Sequence, residues 1–133
     1  MIVIEASAMV EALVAGPADP ALSEFIAGQE LHAPNLLDFE VAGALRGLVL
    51  GRKMERSRLD NAIMDYRVFR IKRHSMTKSL RRMLDLRDNF TAYDASYVVL
   101  AQALAVPLLT SDLKMKAAEK VGVEVRILES SGV

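Results

Sequence analysis

Short apolar runs rich in β-branched residues alternate along this chain with longer helical stretches, and this alternation restricts the folds that the chain can adopt. The runs that read as strands are Ile2–Ile4 and the segments LHAP, VPLLT and VEVRIL, with RVFRI as a further short extended piece. Strands that alternate with helices are typical of a parallel sheet covered by helices. We therefore predict an α/β fold, with a central, mostly parallel sheet of four to five strands flanked by helices.

The helical stretches differ in how much of their surface should be buried. The segment TAYDASYVVLAQALA is apolar on nearly every side, so we expect it to lie in the core. Asn35 can cap the stretch NLLDFEVAGALRGLVL, and Gly122 can close the helix DLKMKAAEK. The other predicted helices run from about Ala8 to Val14 with Ser7 as a possible cap, from Ala21 to Ala27, from Arg56 to Tyr66, and over MTKSLRRMLDLRD, with GPADP separating the first two.

Length and composition exclude several classes of protein. A chain of 133 residues, 52% of them hydrophobic, suits one compact domain spanning residues 1–133. Without cysteine the chain has neither disulfides nor a thiolate zinc site or nucleophile. No apolar run approaches the roughly 18 residues of a membrane span and the N-terminus does not resemble a signal peptide, so we expect a cytoplasmic protein. The formal net charge is zero, so nucleic-acid binding would have to rest on local charge.

Two of the predicted strands have an acid at or just beyond their carboxyl end. Glu5 follows Ile2–Ile4 directly, and Asp112 comes shortly after VPLLT. In open α/β sheets, ligands bind outside the carboxyl ends of the strands. Glu5 and Asp112 are therefore candidate site residues, although Glu5 could simply end a strand and Asp112 could simply cap the helix that follows it.

Glu40 is the acid whose position most needs an explanation. It comes three residues after Leu37 and four before Ala44, which places it on the apolar face of its helix. A buried carboxylate without a partner costs several kcal/mol. We expect either a salt bridge to a nearby arginine or a place in a functional site. Asp38 lies three residues after Asn35 and is explained as a helix N-terminal acid.

Asp94 opens the apolar helix, where Thr91-Ala-Tyr-Asp94 matches a capping pattern. Capping would account for Asp94 alone, but the position also lies at the mouth of the core. If Glu5, Glu40, Asp94 and Asp112 converge, their charges repel one another unless some protonate or a cation binds. Mg²⁺ and Mn²⁺ prefer oxygen ligands, and acids that hold such a metal indicate hydrolysis of a phosphodiester.

Three segments, VIEAS, PNLLDFEVAGAL and TAYDASYVVLAQALAVPLLTSD, resemble the PIN domain in content, order and spacing. More narrowly, the chain resembles VapC, the toxin of VapBC toxin–antitoxin systems, nearly from end to end. The resemblance implies an endoribonuclease that depends on Mg²⁺ or Mn²⁺ and cleaves structured RNA such as tRNA or ribosomal RNA. It also implies a VapB-like antitoxin that blocks the site, and a homodimer.

The resemblance assigns roles to particular residues. The four acids of the site would be Glu5, Glu40, Asp94 and Asp112, which would also hold the metal. Ser7 and Thr110 would orient carboxylates or water around them. For these two residues a helix cap and a strand-end hydroxyl, respectively, remain alternatives.

Glu5 departs from the family pattern, which has Asp at this position. The additional methylene moves the carboxylate outward by roughly 1.5 Å. Mg²⁺ requires near-octahedral geometry at about 2.0–2.1 Å, and misplacing a catalytic group by about 1 Å can cost on the order of a hundredfold in rate. We expect weakened catalysis. Glu5 is either a natural variant or a deliberate substitution, and the absence of a compensating acid nearby favours the second reading.

The stretch from Arg67 to Leu84 contains no acid, although the chain as a whole is neutral. It is either a solvated helix face or a patch that contacts RNA phosphates without reading sequence. Its basic residues are Arg67, Arg70, Lys72, Arg73, Lys78, Arg81 and Arg82. The two histidines, His32 and His74, are too far apart in the pattern to indicate a site, and Tyr93 and Tyr97 are expected to pack more than to contact substrate.

Two other functions compete with a nuclease. A PIN-like fold could bind RNA or an antitoxin without cleaving, and weak metal binding by a folded chain would favour that reading. A receiver-like phosphotransfer domain also collects acids at strand ends, but it needs an acceptor Asp after a middle strand and a Lys after a later one. Neither is evident here.

Overall fold

Five parallel strands form the sheet at the centre of the protein. The computed structural model describes residues 1–15 and 20–128. The strand order is β3-β2-β1-β4-β5, and every neighbouring pair is parallel. The strands are β1 (Ile2–Ile4), β2 (Leu31–Pro34), β3 (Ile71–His74), β4 (Leu108–Thr110) and β5 (Val125–Ile127). The predicted α/β class and parallel sheet are confirmed.

Helices cover the sheet in two groups. The helix α1 packs against α2, α3 and α4, whereas α6 lies against β1, β2 and β4 and packs on α5. Their bounds are α1 Ala6–Ala15, α2 Pro20–Ala27, α3 Leu37–Leu50, α4 Arg56–Val68, α5 Leu80–Asp85 and α6 Ala92–Leu104, with 3₁₀ helices at Thr77–Ser79 and Leu113–Val121. Among the helices so described, none is both long and apolar enough to cross a membrane.

The core is built around β1 and α6. All three residues of Ile2–Ile4 are fully buried, as expected of a central strand covered on both faces. Every residue of α6 from Ala95 to Ala101 is buried, which confirms the prediction from its apolar composition. In the edge strand β3 the first and last residues are half-buried and the two between them are exposed.

Two predicted caps near the strand ends are wrong. Helix α1 begins at Ala6, so Ser7 lies inside the helix instead of capping it. The Glu5 carbonyl already accepts the first helical N–H groups, from Ala8 and Met9 at 3.1 and 3.2 Å. Leu36, not Asn35, precedes α3, because the Asn35 N–H is bonded to the His74 carbonyl at 3.0 Å as an extension of the β2–β3 pairing.

The segment RVFRI is extended only in part, since Phe69 has extended backbone and Ile71 opens β3. Helix α4 continues through Val68, and Arg67 in its last turn interacts favourably with the helix dipole. The strand β3 starts only at Ile71, which pairs with Leu31 of β2. The predicted helix after Asp112 is a 3₁₀ helix that ends, as predicted, at Gly122 with φ 84°. Of the predicted break GPADP, residues 16–19 lie outside the described residues.

The order of the strands rules out the receiver-like alternative. Receiver-like sheets have the order 2-1-3-4-5. Here the second and third strands lie on the same side of β1, and β4 is its other neighbour. The switch in strand order therefore falls between β1 and β4, where Glu5 and Asp112 follow their strands.

Replacing Ala105 by glycine is expected to stabilise the protein. Ala105 ends α6 in the left-handed conformation, with φ 55° and ψ 46°, and its N–H bonds to the carbonyls of Ala101 and Gln102. Glycine adopts this conformation without the steric penalty of a Cβ, so Ala105→Gly should raise the free energy of unfolding by about 1 kcal/mol. As a matched control, Ala103→Gly in the exposed helical position of α6 should lower it by about 1 kcal/mol. Urea unfolding of both variants tests the opposite signs.

Candidate active site

Four acids gather around the carboxyl ends of β1 and β4. These strands are neighbours in register, with Ile4 paired to Leu109, so Glu5 and Asp112 emerge at the same edge of the sheet. Glu40 comes from the first turn of α3 and Asp94 from the first turn of α6. The region is the one in which the sequence predicted a site.

Glu5 is buried, at 7% exposure, and its carboxylate is held by three donors. Oε2 accepts hydrogen bonds from the Ser7 N–H at 3.0 Å, from the Thr110 hydroxyl at 2.9 Å and from the Ser7 hydroxyl. The Ser7 hydroxyl also accepts a hydrogen bond from the Ser111 N–H at 2.8 Å, and the Thr110 hydroxyl accepts one from the Asp112 N–H at 3.0 Å. Ser7 and Thr110 therefore fix the position of Glu5 and link it to the loop that carries Asp112.

Glu40 is half-buried and is held by a tyrosine, so of the two alternatives for this acid the arginine salt bridge is not the one observed. The hydroxyl of Tyr97, a fully buried residue, donates to Glu40 Oε1 at 2.5 Å. Burial raises the pKa of Glu40, and the like charges of Glu5 and Asp94 raise it further, against the opposing effect of the Tyr97 hydrogen bond. Burial and Glu40 likewise raise the pKa of Tyr97. Tyr97 was predicted to pack in the core, which it does, but its hydroxyl also positions a site acid.

Asp94 and Asp112 share one lysine. The Asp94 N–H bonds to the Thr91 hydroxyl at 3.1 Å, which confirms the predicted cap, with Thr91 as the capping residue. Asp112 caps the following 3₁₀ helix, because its Oδ1 accepts the Lys114 N–H at 3.1 Å. Lys114 Nζ lies 3.5 Å from Asp112 Oδ2 and 3.8 Å from Asp94 Oδ2. Lys114 was not among the site residues predicted from the sequence, although it is two residues from Asp112.

Glu40 lies close enough to Glu5 and Asp94 to be affected by their charges, and Asp94 shares Lys114 with Asp112, but the acids are held by three different sets of groups. Within residues 1–15 and 20–128, no three acidic or histidine side chains lie close enough together to hold a metal ion. Glu5 is held by Ser7 and Thr110, Glu40 by Tyr97, and the two aspartates by Lys114. Joint binding of a cation by all four acids thus stays a prediction.

The chemistry of these side chains fits a divalent cation such as Mg²⁺ or Mn²⁺. All four are hard oxygen donors. Ser111 Oγ, between Thr110 and Asp112, is a buried side-chain polar atom without a hydrogen-bond partner in the described part of the chain. Buried polar atoms of this kind are normally satisfied by water, and Mg²⁺ usually keeps several of its waters.

The two histidines form a direct contact, contrary to the prediction that they are too far apart. His32 Nδ1 and His74 Nε2 are 2.9 Å apart, and His32 Nε2 is 3.2 Å from Glu30 Oε1. The register explains the contact, since Pro34 pairs with His74, which places His32 and His74 on one face of neighbouring strands. Burial, His32 and Lys72 lower the pKa of His74.

Asp38 belongs to a separate cluster at the surface. Arg73 donates to both of its oxygens at 2.8–3.1 Å, and the Tyr66 hydroxyl donates at 2.6 Å. The hydrogen bonds from Arg73 lower the pKa of Asp38. Asp38 is in the first turn of α3, as predicted, but it also ties α3 to β3 and α4.

The basic residues between Arg67 and Arg82 do not lie on one helix face. They are spread over the end of α4, the strand β3, the 3₁₀ helix Thr77–Ser79 and α5. Arg73 is paired with Asp38, and Arg82 donates to Gln102 at 3.2 Å. The remaining members are exposed or half-buried: Arg67, Arg70, Lys72, Lys78 and Arg81.

The pKa shifts of Glu40 and Asp38 predict opposite effects of pH on stability. Because the folded-state pKa of Glu40 is raised, the stability it contributes is present below its unfolded pKa and is lost as pH rises through the folded pKa. Glu40→Gln, which can still accept from Tyr97, should therefore become more stable relative to the parent chain as pH rises. Thermal unfolding between pH 4 and pH 8 measures this difference.

Asp38→Asn serves as the control of opposite sign. The pKa of Asp38 is lowered in the folded protein, so its contribution is present above the unfolded pKa and is lost as pH falls through the folded pKa. The variant should be less stable than the parent at neutral pH, by about 1 kcal/mol for a pair at the surface, and the difference should shrink in acid. If the stability difference from the parent chain changed with pH in the same direction for both variants, the opposite pKa shifts assigned to Glu40 and Asp38 would be wrong.

Comparison with known proteins identifies relatives along nearly the whole chain. No protein-family model matches. The chain is similar to three proteins of Mycobacterium tuberculosis: ribonuclease VapC9, 36% identical over 115 residues (86% of this chain and 88% of the relative), ribonuclease VapC12, 30% identical (96% and 99%), and ribonuclease VapC1, 36% identical (95% and 96%). Among solved structures, PAE2754 from Pyrobaculum aerophilum superposes with a TM-score of 0.66 at 19% identity, over 93% of this chain and 82% of that one. That structural likeness concerns the fold alone.

Proposed function

Because this chain belongs to the VapC family of PIN-domain toxin ribonucleases, we propose that it is an endoribonuclease that hydrolyses phosphodiester bonds with the help of Mg²⁺ or Mn²⁺. The observation that carries the proposal is the gathering of four acids at the edge of the sheet where β1 and β4 end. In a parallel sheet this edge is where ligands bind.

The acids Glu5, Glu40, Asp94 and Asp112 would hold the cation. When bound, the cation would activate a water molecule and neutralise negative charge on the leaving oxygen. The protein's own contribution is positioning. Ser7 and Thr110 orient Glu5, and Tyr97 orients Glu40 from within the core. Such partners hold carboxylates in one orientation and support metal binding.

The proposed substrate is a structured RNA such as tRNA or ribosomal RNA. The accessible basic residues from Arg67 to Arg81 can contact phosphates, which gives affinity and orientation but little sequence discrimination. Phe69 is half-buried, so the segment offers few rings on which unpaired bases could stack. Recognition of the shape and charge of the RNA suits this surface better than the reading of its bases.

The proposed partners are a VapB-like antitoxin that blocks the site and a second copy of the chain in a homodimer, in the cytoplasm. A physical observation supports a protein partner near the acids. Several large apolar side chains are more than 60% exposed, and three of them are adjacent in sequence to a site acid: Phe39, Tyr93 and Leu113. Exposed apolar groups around a polar site are typical of an interface.

A paired nuclease assay tests both the activity and the effect of Glu5. The parent chain and Glu5→Asp are incubated with total tRNA and ribosomal RNA, in Mg²⁺, Mn²⁺ or EDTA. We expect metal-dependent cleavage at discrete sites, with Glu5→Asp faster by up to about a hundredfold, because the shorter side chain changes the position of the carboxylate.

Asp112→Asn is the matched negative control for this assay. It keeps the Lys114 N–H acceptor at Oδ1 but removes one acidic charge, so it should fold and not cleave. Equal rates for the parent chain and Glu5→Asp would show that a glutamate at position 5 is as competent as an aspartate. If the chain cleaves in no condition but still binds RNA or an antitoxin, the nuclease proposal is wrong. The alternative of a PIN-like fold that binds without cleaving would then be favoured.

Salt dependence tests the proposed phosphate contacts. In an Asp112→Asn background, which prevents cleavage, RNA affinity is measured against salt concentration. Replacing Lys78 and Arg81 by glutamine should reduce the slope of log K against log salt by about 0.7 to 0.9 for each phosphate that is no longer neutralised. Lys120→Gln, an exposed change outside the basic stretch, should leave the slope unaltered. If Lys120→Gln changed the slope as much as the substitutions of Lys78 and Arg81, the basic stretch would not be the specific site of RNA contact.

A further inference from the structure

We propose that Lys114 is a built-in counter-ion of the acidic site, which holds Asp94 and Asp112 together until a divalent cation takes its place. This inference rests on the proposed function, because it concerns how the chain's own residues accommodate the cation. It gives a role to a residue that is neither one of the four acids nor one of the hydroxyl groups that orient Glu5 and Glu40.

The local geometry fixes Lys114 against both aspartates. Its main-chain N–H donates to Asp112 Oδ1 at 3.1 Å, while its ammonium lies 3.5 Å from Oδ2 of the same carboxylate. The same ammonium is 3.8 Å from Asp94 Oδ2, at the start of α6. One residue thus contacts both oxygens of Asp112 and reaches the second acid, so the cap of the 3₁₀ helix directs the side chain toward the site.

Lys114 differs from the other partners of the acids because it carries charge. Glu5 and Glu40 are bound by hydroxyl and main-chain donors, which orient a carboxylate without neutralising it. Across residues 1–15 and 20–128, Lys114 is the sole cationic side chain in ion-pair contact with any of the four acids. It therefore supplies the positive charge that lets Asp94 and Asp112 lie near each other.

The ion pairs of Lys114 with Asp94 and Asp112 are weak enough for a divalent cation to displace the ammonium. The Lys114 side chain is 69% exposed, against 19% for Asp94 and 35% for Asp112, and both ion-pair distances exceed those of a close hydrogen bond. Ion pairs of this exposure contribute little to stability and are screened by salt. A divalent cation, with twice the charge and a preference for carboxylate oxygens, competes for the same Oδ2 atoms.

Competition predicts two effects of removing the ammonium. In Lys114→Met, which keeps an unbranched side chain of similar length, Mn²⁺ should bind more tightly because the cation no longer displaces a positive charge. Without metal, the same variant should melt at a lower temperature than the parent chain, since the aspartates then repel each other. A lysine that only contacted RNA phosphates would produce neither effect.

The experiment is a titration of the full chain with Mn²⁺ by isothermal calorimetry, with thermal unfolding in EDTA and in Mn²⁺. Lys116→Met is the matched control, an exposed lysine in the same 3₁₀ helix. We expect Lys114→Met to bind Mn²⁺ about fivefold more tightly, to have a lower melting temperature in EDTA, and to regain the parent value in Mn²⁺. Lys116→Met and Lys114→Arg should bind Mn²⁺ as the parent chain does.

The possible failures are distinguishable. If Lys114→Met binds Mn²⁺ with parental or weaker affinity, the counter-ion role is wrong, whereas the metal-dependent function stands because the metal still binds. If neither chain binds Mn²⁺ while both remain folded, the exchange is rejected together with the metal requirement of the proposed nuclease. Tighter binding by both methionine variants would indicate a general effect of charge and would also overturn a specific role for Lys114.

Discussion

The hydrogen bond from Thr110 to Glu5 joins the ends of two neighbouring parallel strands, and the arrangement of the site depends on it. The two residues are separated by 105 positions in the chain, and the pairing of β1 with β4 brings them to 2.9 Å. Thr110 in turn accepts the Asp112 N–H, so the position of one acid is coupled to that of another through a single hydroxyl. Because β1 and β4 are buried, a shift of one strand against the other would have to disturb the core.

Glu5 occupies this arrangement with a side chain one methylene longer than the aspartate that the resemblance implies at this position. Its carboxylate does not extend freely from the strand. Oε2 is bound by Thr110, at the end of β4, and by Ser7, at the start of α1, where main-chain N–H groups favour negative charge. The protein therefore stabilises the longer acid, and its oxygens are directed by the hydroxyl pair. The expected decrease in rate follows from this fixed position, since a carboxylate that is held cannot shift freely to meet a ligand.

The sequence predicted the features that depend on local pattern and missed those that depend on contacts between elements. The apolar strands, the buried helix α6 and the acids at strand ends follow from composition and periodicity. The contact of His32 with His74 depends on the β2–β3 register, which no local pattern encodes. The bond between Tyr97 and Glu40 requires the packing of α6 near α3, across 57 residues. Tyr97 could have been suspected from its spacing, because it lies one helical turn after Asp94.

The partners of the four acids differ in charge. The most buried, Glu5, is bound by three neutral donors, and the half-buried Glu40 by the hydroxyl of a core tyrosine. Charged groups are expensive to bury, so a lysine in either place would carry a desolvation penalty. The two remaining acids, Asp94 and Asp112, are the ones paired with an exposed ammonium. Neutral donors thus hold Glu5 and Glu40, whereas an exposed positive charge lies beside Asp94 and Asp112.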